Sequence, residues 1–386
     1  MLRSGPSIVV LFIEPRARSL KSFGCAEVAG AAKVRCLTCK RDAAMPIRLK
    51  PALIALAAGA LSLAASRQAL AWGSSGHRFV GQAGAEAFPA TLPAFLRTKQ
   101  AAFDIGELAR ELDRSKGSGR IHDSDRDPGH FADIDDSGGL NGGPKFVDLP
   151  PTREAYEKAL QAAGTNSWQA GYSPYAIIDG WQQLATDFTY YRILTSAVKN
   201  EKNPARKRWY TEDLTRRQAL IVRNIGVWAH YIGDGSQPLH DTWHYNGWGA
   251  KFPNPNGYTL APIHSPFEDR FVVDHVTIEM VRAKLPPYRD CGCDIQERTI
   301  DYLLTGNSFV EPLYKMWKEG EFDRTSPKAI DFTTMRVAAG AAELRDMVVA
   351  AWNASAKGTI GYRDTAITPA EVAAGKDAWA SLYGNT

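Results

Sequence analysis

The chain has little cysteine, little β-forming sequence and no long apolar run, and each shortage excludes a class of protein. Of five cysteines in 386 residues, Cys25, Cys36 and Cys39 all precede residue 40. Cys36-x2-Cys39 has no second half, so a cysteine-ligated zinc site is excluded. Cys291 and Cys293 remain, as Cys-Gly-Cys in what reads as a loop. They are too few for a disulfide scaffold, are either a local disulfide or two thiols, and are given no catalytic role. Alternating β-branched runs between turns are nearly absent, which argues against a sheet. The most apolar stretch, 52–65, is shorter than the roughly 20 residues a transmembrane helix needs. No repeat, low-complexity tail, charge block or nucleophile-elbow motif occurs.

The formal net charge of +4 is unevenly distributed. Residues 1–71 hold 11 Lys/Arg against 3 Asp/Glu, leaving 35 basic and 39 acidic residues in 72–386. The larger part is mildly acidic, with no bulk support for binding duplex nucleic acid. Arg48 and Lys50, the apolar run and Ala69-Leu70-Ala71 together have the form of a signal peptide over 45–71, cleaved after Ala71. Residues 1–44 are then expected to be a mis-called upstream extension, and the product to be periplasmic or secreted.

Apolar residues over 72–386 recur with helical period. Helices are expected over 76–88, 93–99, 105–113, 152–163, 173–200, 212–234, 265–285, 293–319 and 326–353. The fold expected is all-α, one multi-helix bundle over 72–386 with no transmembrane segment. Long loops at 116–151 and 245–263 are rich in Gly, Asp, Asn and Pro; loops of that length tend to carry function.

The chemistry concentrates in the eight histidines. His230-Tyr-Ile-Gly-Asp234 ends an apolar helix, Gln-Pro-Leu-His240 follows, and His264-Ser-Pro-Phe-Glu268 closes the next loop. Residues four apart on a helix share a face, so each His/acid pair can close on one cation. Neutral nitrogen with anionic oxygen suits zinc. With 42 acidic residues, about one such pair is expected by chance; His275 and Glu279 are read as that pair, on a solvated helix face. His230 and Asp234 stand out because a buried helix makes them costly without a partner. A hydrogen-bonded His–Asp pair without metal is the plain alternative. Asp123-x-Asp125-x-Asp127-Pro-Gly lacks the sixth-position Gly and twelfth-position Glu of a calcium loop and is read as a solvated loop. His122 and His244 are read as surface residues.

From Trp72 to about Val273 the residues resemble the zinc-dependent phospholipases C of bacteria, whose fold is shared by the single-strand-specific zinc nucleases of fungi and plants. The likeness is sharpest at His-Tyr-Ile-Gly-Asp-x2-Gln-Pro-Leu-His, and Trp72 directly after the expected cleavage site, with His77 five residues on, adds to it. The resemblance implies an α-helical cleft holding three zinc ions. Trp72 (through its terminal amine and carbonyl), His77 and Asp234 would hold one. His130, His230, Asp234 and an earlier aspartate, taken as Asp113 over Asp104, Asp123 and Asp125, would hold the second, with Asp234 bridging. His240, His264 and Glu268 would hold the third. Asp113 and Asp234 would be the catalytic carboxylates, with Asp133 or Asp135 orienting His130.

The activity implied is phosphodiester hydrolysis by metal-activated water. Glu268, the string His-Ser-Pro-Phe-Glu and His-Phe-x-Asp-x-Asp at His130 lean toward phospholipase C, with peripheral membrane contact. The alternative is a single-strand nuclease, for which Trp243, Tyr245, Trp248, Phe252 and Tyr258 could stack bases, although the Gly-Gly-Asn stretch usual in that branch is missing. A secreted metal-binding protein without turnover is the third reading.

Overall fold

The computed structural model describes residues 72–249 and 251–384. The expected extension, the leader and Cys25, Cys36 and Cys39 lie outside the described residues. Within them the protein is helical, and strand pairing is limited to isolated bridges such as Ala132 with Gly171. Eight helices have nine residues or more: α1 (Gly73–Glu86), α2 (Lys99–Leu108), α3 (Arg153–Ala162), α4 (Ser173–Asn200), α5 (Pro204–Asp234), α6 (Ile295–Asn307), α7 (Val310–Lys318) and α8 (Pro327–Ala354). No helix among the described residues is long and apolar enough to cross a membrane.

Local signals account for where the helices begin. Thr98, Thr152, Asn203 and Ser326 each accept a first-turn N–H at a helix N-terminus, and Asp294 closes a capping box with Glu297. The Asn203 cap with Pro204 behind it explains why α5 starts eight residues before the expected 212. The expected helix over 265–285 is broken: a π turn (Pro266–Phe271) leads into Val272–His275, Val276 is extended, and Thr277 caps a new helix, Ile278–Ala283. His275 and Glu279 therefore lie on two helices rather than one solvated face. The expected 293–319 helix is two, α6 and α7, and 105–113 divides between α2 and the short turn Glu111–Arg114. The loop at 116–151 contains a helix, Arg120–Arg126, so Asp123 is a buried helical residue rather than part of a solvated loop.

α4 and α5 form an antiparallel hairpin, and α1 packs against α2, α5 and α8. Trp228 of α5 fixes the hairpin register by donating its indole N–H to the Ile177 carbonyl at 3.0 Å. Its ring lies over Gly180, where a Cβ would collide with it. One apolar cluster, including Ile105, Ile177, Phe188, Ile225, Trp228 and Met347, fills one side of the bundle. A second, including Trp72, Val80, Leu239, Phe267, Tyr314 and Val337, fills the other. The polar centre lies where α1 and the end of α5 meet both. Cys291 and Cys293 form a disulfide ahead of α6.

Adding a methyl under Trp228 tests this register. Gly180→Ala should lose about 1–3 kcal/mol by overpacking and lower the melting temperature, whereas Leu220→Ala, on the exposed face of α5, should stay within about 0.5 kcal/mol. An unchanged melt for Gly180→Ala would count against the packing of α4 on α5.

Candidate metal centre

Six separate pieces of chain deliver side chains to one buried centre. His77 comes from α1, Asp113 from the turn Glu111–Arg114, and His130 from the end of a 3-10 turn, Asp127–His130. His230 and Asp234 share the last turns of α5, His240 ends the 3-10 turn Pro238–His240, and His264 and Glu268 flank the start of the π turn. His77, His230, Asp234 and Glu268 have no exposed surface, and His130, His240 and His264 have at most 4%. Three groups have ligand atoms close enough to hold one ion each: His77 with His230 and Asp234, Asp113 with His130 and His230, and His240 with His264 and Glu268.

Asp234 ties the first two groups together. One carboxylate oxygen lies 3.5 Å from His77 Nε2; the other lies 3.0 Å from His130 Nδ1 and 3.6 Å from His230 Nε2. Asp113 places its oxygens 3.9 Å from His77 Nε2 and 3.7 Å from His230 Nε2. Of the rival aspartates, Asp104 is bound to Gln100 and Asp123 to His122. In the third group His264 Nε2 is 2.7 Å and His240 Nε2 3.4 Å from Glu268 Oε2. The His77 and His230 rings stack at 3.7 Å, and Gly233 leaves room for them, since a Cβ there would stand 2.9 Å from His77 Nδ1. Trp72 is fully buried beside them, its indole N–H donated to Ser236 Oγ at 2.8 Å and its carbonyl accepting the Gly76 N–H.

The donors fit a cation because so many have no other partner. His77 Nδ1 and Nε2, Asp234 Oδ1, His240 Nε2, His264 Nδ1 and Glu268 Oε1 are buried without a hydrogen bond. Such groups cost roughly 1–3 kcal/mol each, and more when charged. Burial holds His77, His130 and His230 well below the usual imidazole range, so they are neutral, the form a metal binds. Burial also drives Asp234 well above the carboxylate range, a penalty that a bound cation relieves. Burial acts the same way on Glu268, but His264 and His240 prevail and hold it at about 2.

Several contributors carry no spacing signal in the sequence. Backbone carbonyls orient two of the candidate ligands: Ala109 O faces His230 Nδ1 and His130 O faces His240 Nδ1, each at 2.7 Å. Gln237, within the Gln-Pro-Leu-His string, places its amide nitrogen 2.9 Å from Glu268 Oε2 and 3.1 Å from His264 Nε2. Lys116 brings its ammonium 2.7 Å from Asp113 Oδ1 with 9% exposure. Burial opposes that charge, but Asp113, Asp234 and Glu268 keep its pKa raised.

No family model, curated protein or solved structure matches the chain.

Two expectations are corrected. Asp135 does not orient His130, because its carboxylate accepts the Ser137 hydroxyl and the N–H groups of Ser137, Gly139 and Gly142, which folds its own loop. Asp133 makes no hydrogen bond to the His130 ring among the described residues either. His244 is buried rather than superficial, stacked on Trp248 at 3.8 Å and 2.8 Å from Asp136 Oδ1.

A ligand that binds only the folded state stabilises it by about 2.7 kcal/mol at a hundredfold excess over Kd. Chelator treatment should therefore lower the melting temperature by several degrees and zinc should restore it; a melt indifferent to both would remove the metal from these clusters. Asp234→Asn should lose more bound zinc than Glu268→Gln, because Asp234 touches two groups and Glu268 one. Equal losses would argue against a shared carboxylate.

Proposed function

We propose that this chain is a zinc-dependent phosphodiester hydrolase acting on phospholipid, in the manner of the phospholipases C it resembles. The observation that carries the reading is the convergence of three buried, under-bonded His/carboxylate groups on one centre. Zinc held there supplies water activation near neutral pH and withdrawal of electron density from phosphoryl oxygens. His77 and Asp234, joined by the Trp72 terminus, would hold one ion. Asp113, His130, His230 and Asp234 would hold a second, and His240, His264 and Glu268 a third.

The remaining roles belong to the chain's own groups. Asp113 would orient the attacking water and accept its proton, a role supported by its 8% exposure where Asp234 and Glu268 keep none. Lys116, against Asp113, provides a fixed ammonium for a phosphoryl oxygen. Export out of the cytoplasm, read from 45–71, accords with the Cys291–Cys293 disulfide.

The loop aromatics support lipid over nucleic acid. Trp248 and Tyr258 are buried, packing on each other and on Tyr314, and Trp243 lies 4.0 Å from Phe252. Of the five aromatics that could stack bases, Tyr245 is the one left exposed, at 48%. Its ring is 6.3 Å from His264, and Leu260, on the facing stretch of the same loop, is 58% exposed. Two exposed apolar side chains on this loop suit a lipid interface. Tyr245 beside a ligand also keeps single-strand nuclease as the second reading, since one base could stack there.

Protein beginning at Trp72 should contain about three zinc per chain and turn over phosphatidylcholine vesicles in preference to single-stranded DNA; the reverse preference would move the assignment to the nuclease. Lys116→Met should retain its zinc and lose about a hundredfold in kcat, and full activity would exclude Lys116 from the chemistry. One residue added before Trp72 should remove about one zinc and most of the activity.

A further inference from the structure

Far along the chain from the metal ligands, the Cys291–Cys293 disulfide has a setting that a structural crosslink does not need. It closes a ring of three residues, and the stabilisation a disulfide gives by restricting the unfolded chain is smallest for the shortest loops. Both cysteines are partly buried, and the exposed Gly292 between them, at φ +63°, stands open with nothing within 4 Å of the place a Cβ would occupy. The two sulfurs also differ. Cys291 Sγ receives the Cys293 backbone N–H at 3.3 Å and lies 3.9 Å from Arg298 Nη1. Arg298 is fixed there by Glu343, which accepts from Nε at 2.5 Å and Nη2 at 3.0 Å, with Asp346 3.7 Å from Nη2, so that Nη1 is directed to the Arg289 carbonyl and to the sulfur. The α6 N-terminus is already capped by Asp294, and Asp290 is bound to the Gly292 N–H. Two donors thus converge on one sulfur of a disulfide whose loop is open at Gly292.

We propose that Cys291–Cys293 is a thiol–disulfide exchange site that oxidises peptide dithiols, independently of the metal centre. A peptide thiolate attacks Cys293 Sγ, a sulfur–sulfur bond forms to the peptide, and the Cys291–Cys293 bond breaks with its electron pair leaving on Cys291 Sγ. The Cys293 N–H and Arg298 stabilise that thiolate, and a better leaving thiolate speeds exchange. The peptide's second thiolate then attacks its own sulfur in the mixed disulfide and releases Cys293. Two electrons pass from the peptide to the protein, and the two protons given up by the peptide thiols end on Cys291 and Cys293. Glutathione disulfide serves as the oxidant that restores the site.

The test uses the folded protein with its metal bound. Millimolar reduced glutathione should open the disulfide, read by maleimide mass shift, while helicity by circular dichroism and zinc content stay constant. A model peptide with two cysteines should then be oxidised stoichiometrically by the disulfide form. A disulfide that resists glutathione until the protein unfolds, or that leaves the peptide reduced, overturns the proposal. The asymmetry is checked with single thiols in the exposed loop. Near pH 7, Cys291 in the Cys293→Ser variant should react with iodoacetamide at least about tenfold faster than Cys293 in the Cys291→Ser variant, because its thiolate is the stabilised one. Equal or reversed rates overturn the part assigned to Arg298.

Discussion

The constraint on which the structure depends is the burial of Asp234. Its carboxylate has no exposure, one oxygen is without a hydrogen bond, and burial, with Asp113 and Glu268 adding to it, pushes its pKa well above the normal range. An isolated carboxylate in such a place costs several kcal/mol, and its neighbours are mostly neutral imidazoles that cannot offset it as cations. A proton on Asp234 or a cation at the centre relieves that cost. Lys116 supplies one charge, to Asp113 first. Several buried donor atoms around the centre remain without a hydrogen bond, a deficit that a bound cation would answer.

The helices around the centre are arranged to keep it rigid. α5 reaches it from the far end of the molecule, locked to α4 by Trp228 and by buried Asp187, which accepts from Arg217 and Asn224. Gly226 allows α5 to approach Leu108 of α2, since a Cβ there would meet the Leu108 Cβ at 2.5 Å. On the other side, Tyr302 of α6 donates to the Ile232 carbonyl and Arg336 of α8 donates to the Ser236 carbonyl at 2.9 Å. The last turns of α5 and the segment that brings back His240 are therefore held from three directions. Ligand geometry set by packed helices is reproducible to a degree that loops alone rarely achieve.

Some of this is legible in the sequence for a plain reason. Helical period and the spacing of four are local properties, so the all-α character, the exact span of α4 and the pairing of His230 with Asp234 and of His264 with Glu268 can be read from neighbouring residues. What escapes depends on distant chain. Val276 is apolar and fits a continuous helix, yet it is extended because Thr277 caps the next one. Lys116 reads as an ordinary loop cation until folding buries it against Asp113. Asp135 resembles a partner for His130 by proximity, but the glycine-rich stretch after it presents N–H groups that its carboxylate accepts instead. His244 is polar and sits in a polar loop, and only the return of Trp248 and Phe252 encloses it.

Charge balance constrains what such a centre can act on. Three carboxylates face it, and with three divalent ions bound the excess is strongly positive before Lys116 is counted. In a water-poor site that excess favours reactants that gain negative charge on the way to the transition state. A phosphodiester attacked by water does so, carrying its own negative charge and acquiring more as the new bond forms. A neutral ester or an amide starts with less to offer. The same excess would disfavour a cationic group lying directly over bound ions, so a positively charged headgroup would have to extend away from them. Tyr245 is exposed beside His264, and an aromatic face can take a quaternary ammonium. On the proposed reading two tasks would be separate: the buried charges would hold the phosphoryl group, and Tyr245, exposed beside His264, would meet the group that distinguishes one ester from another.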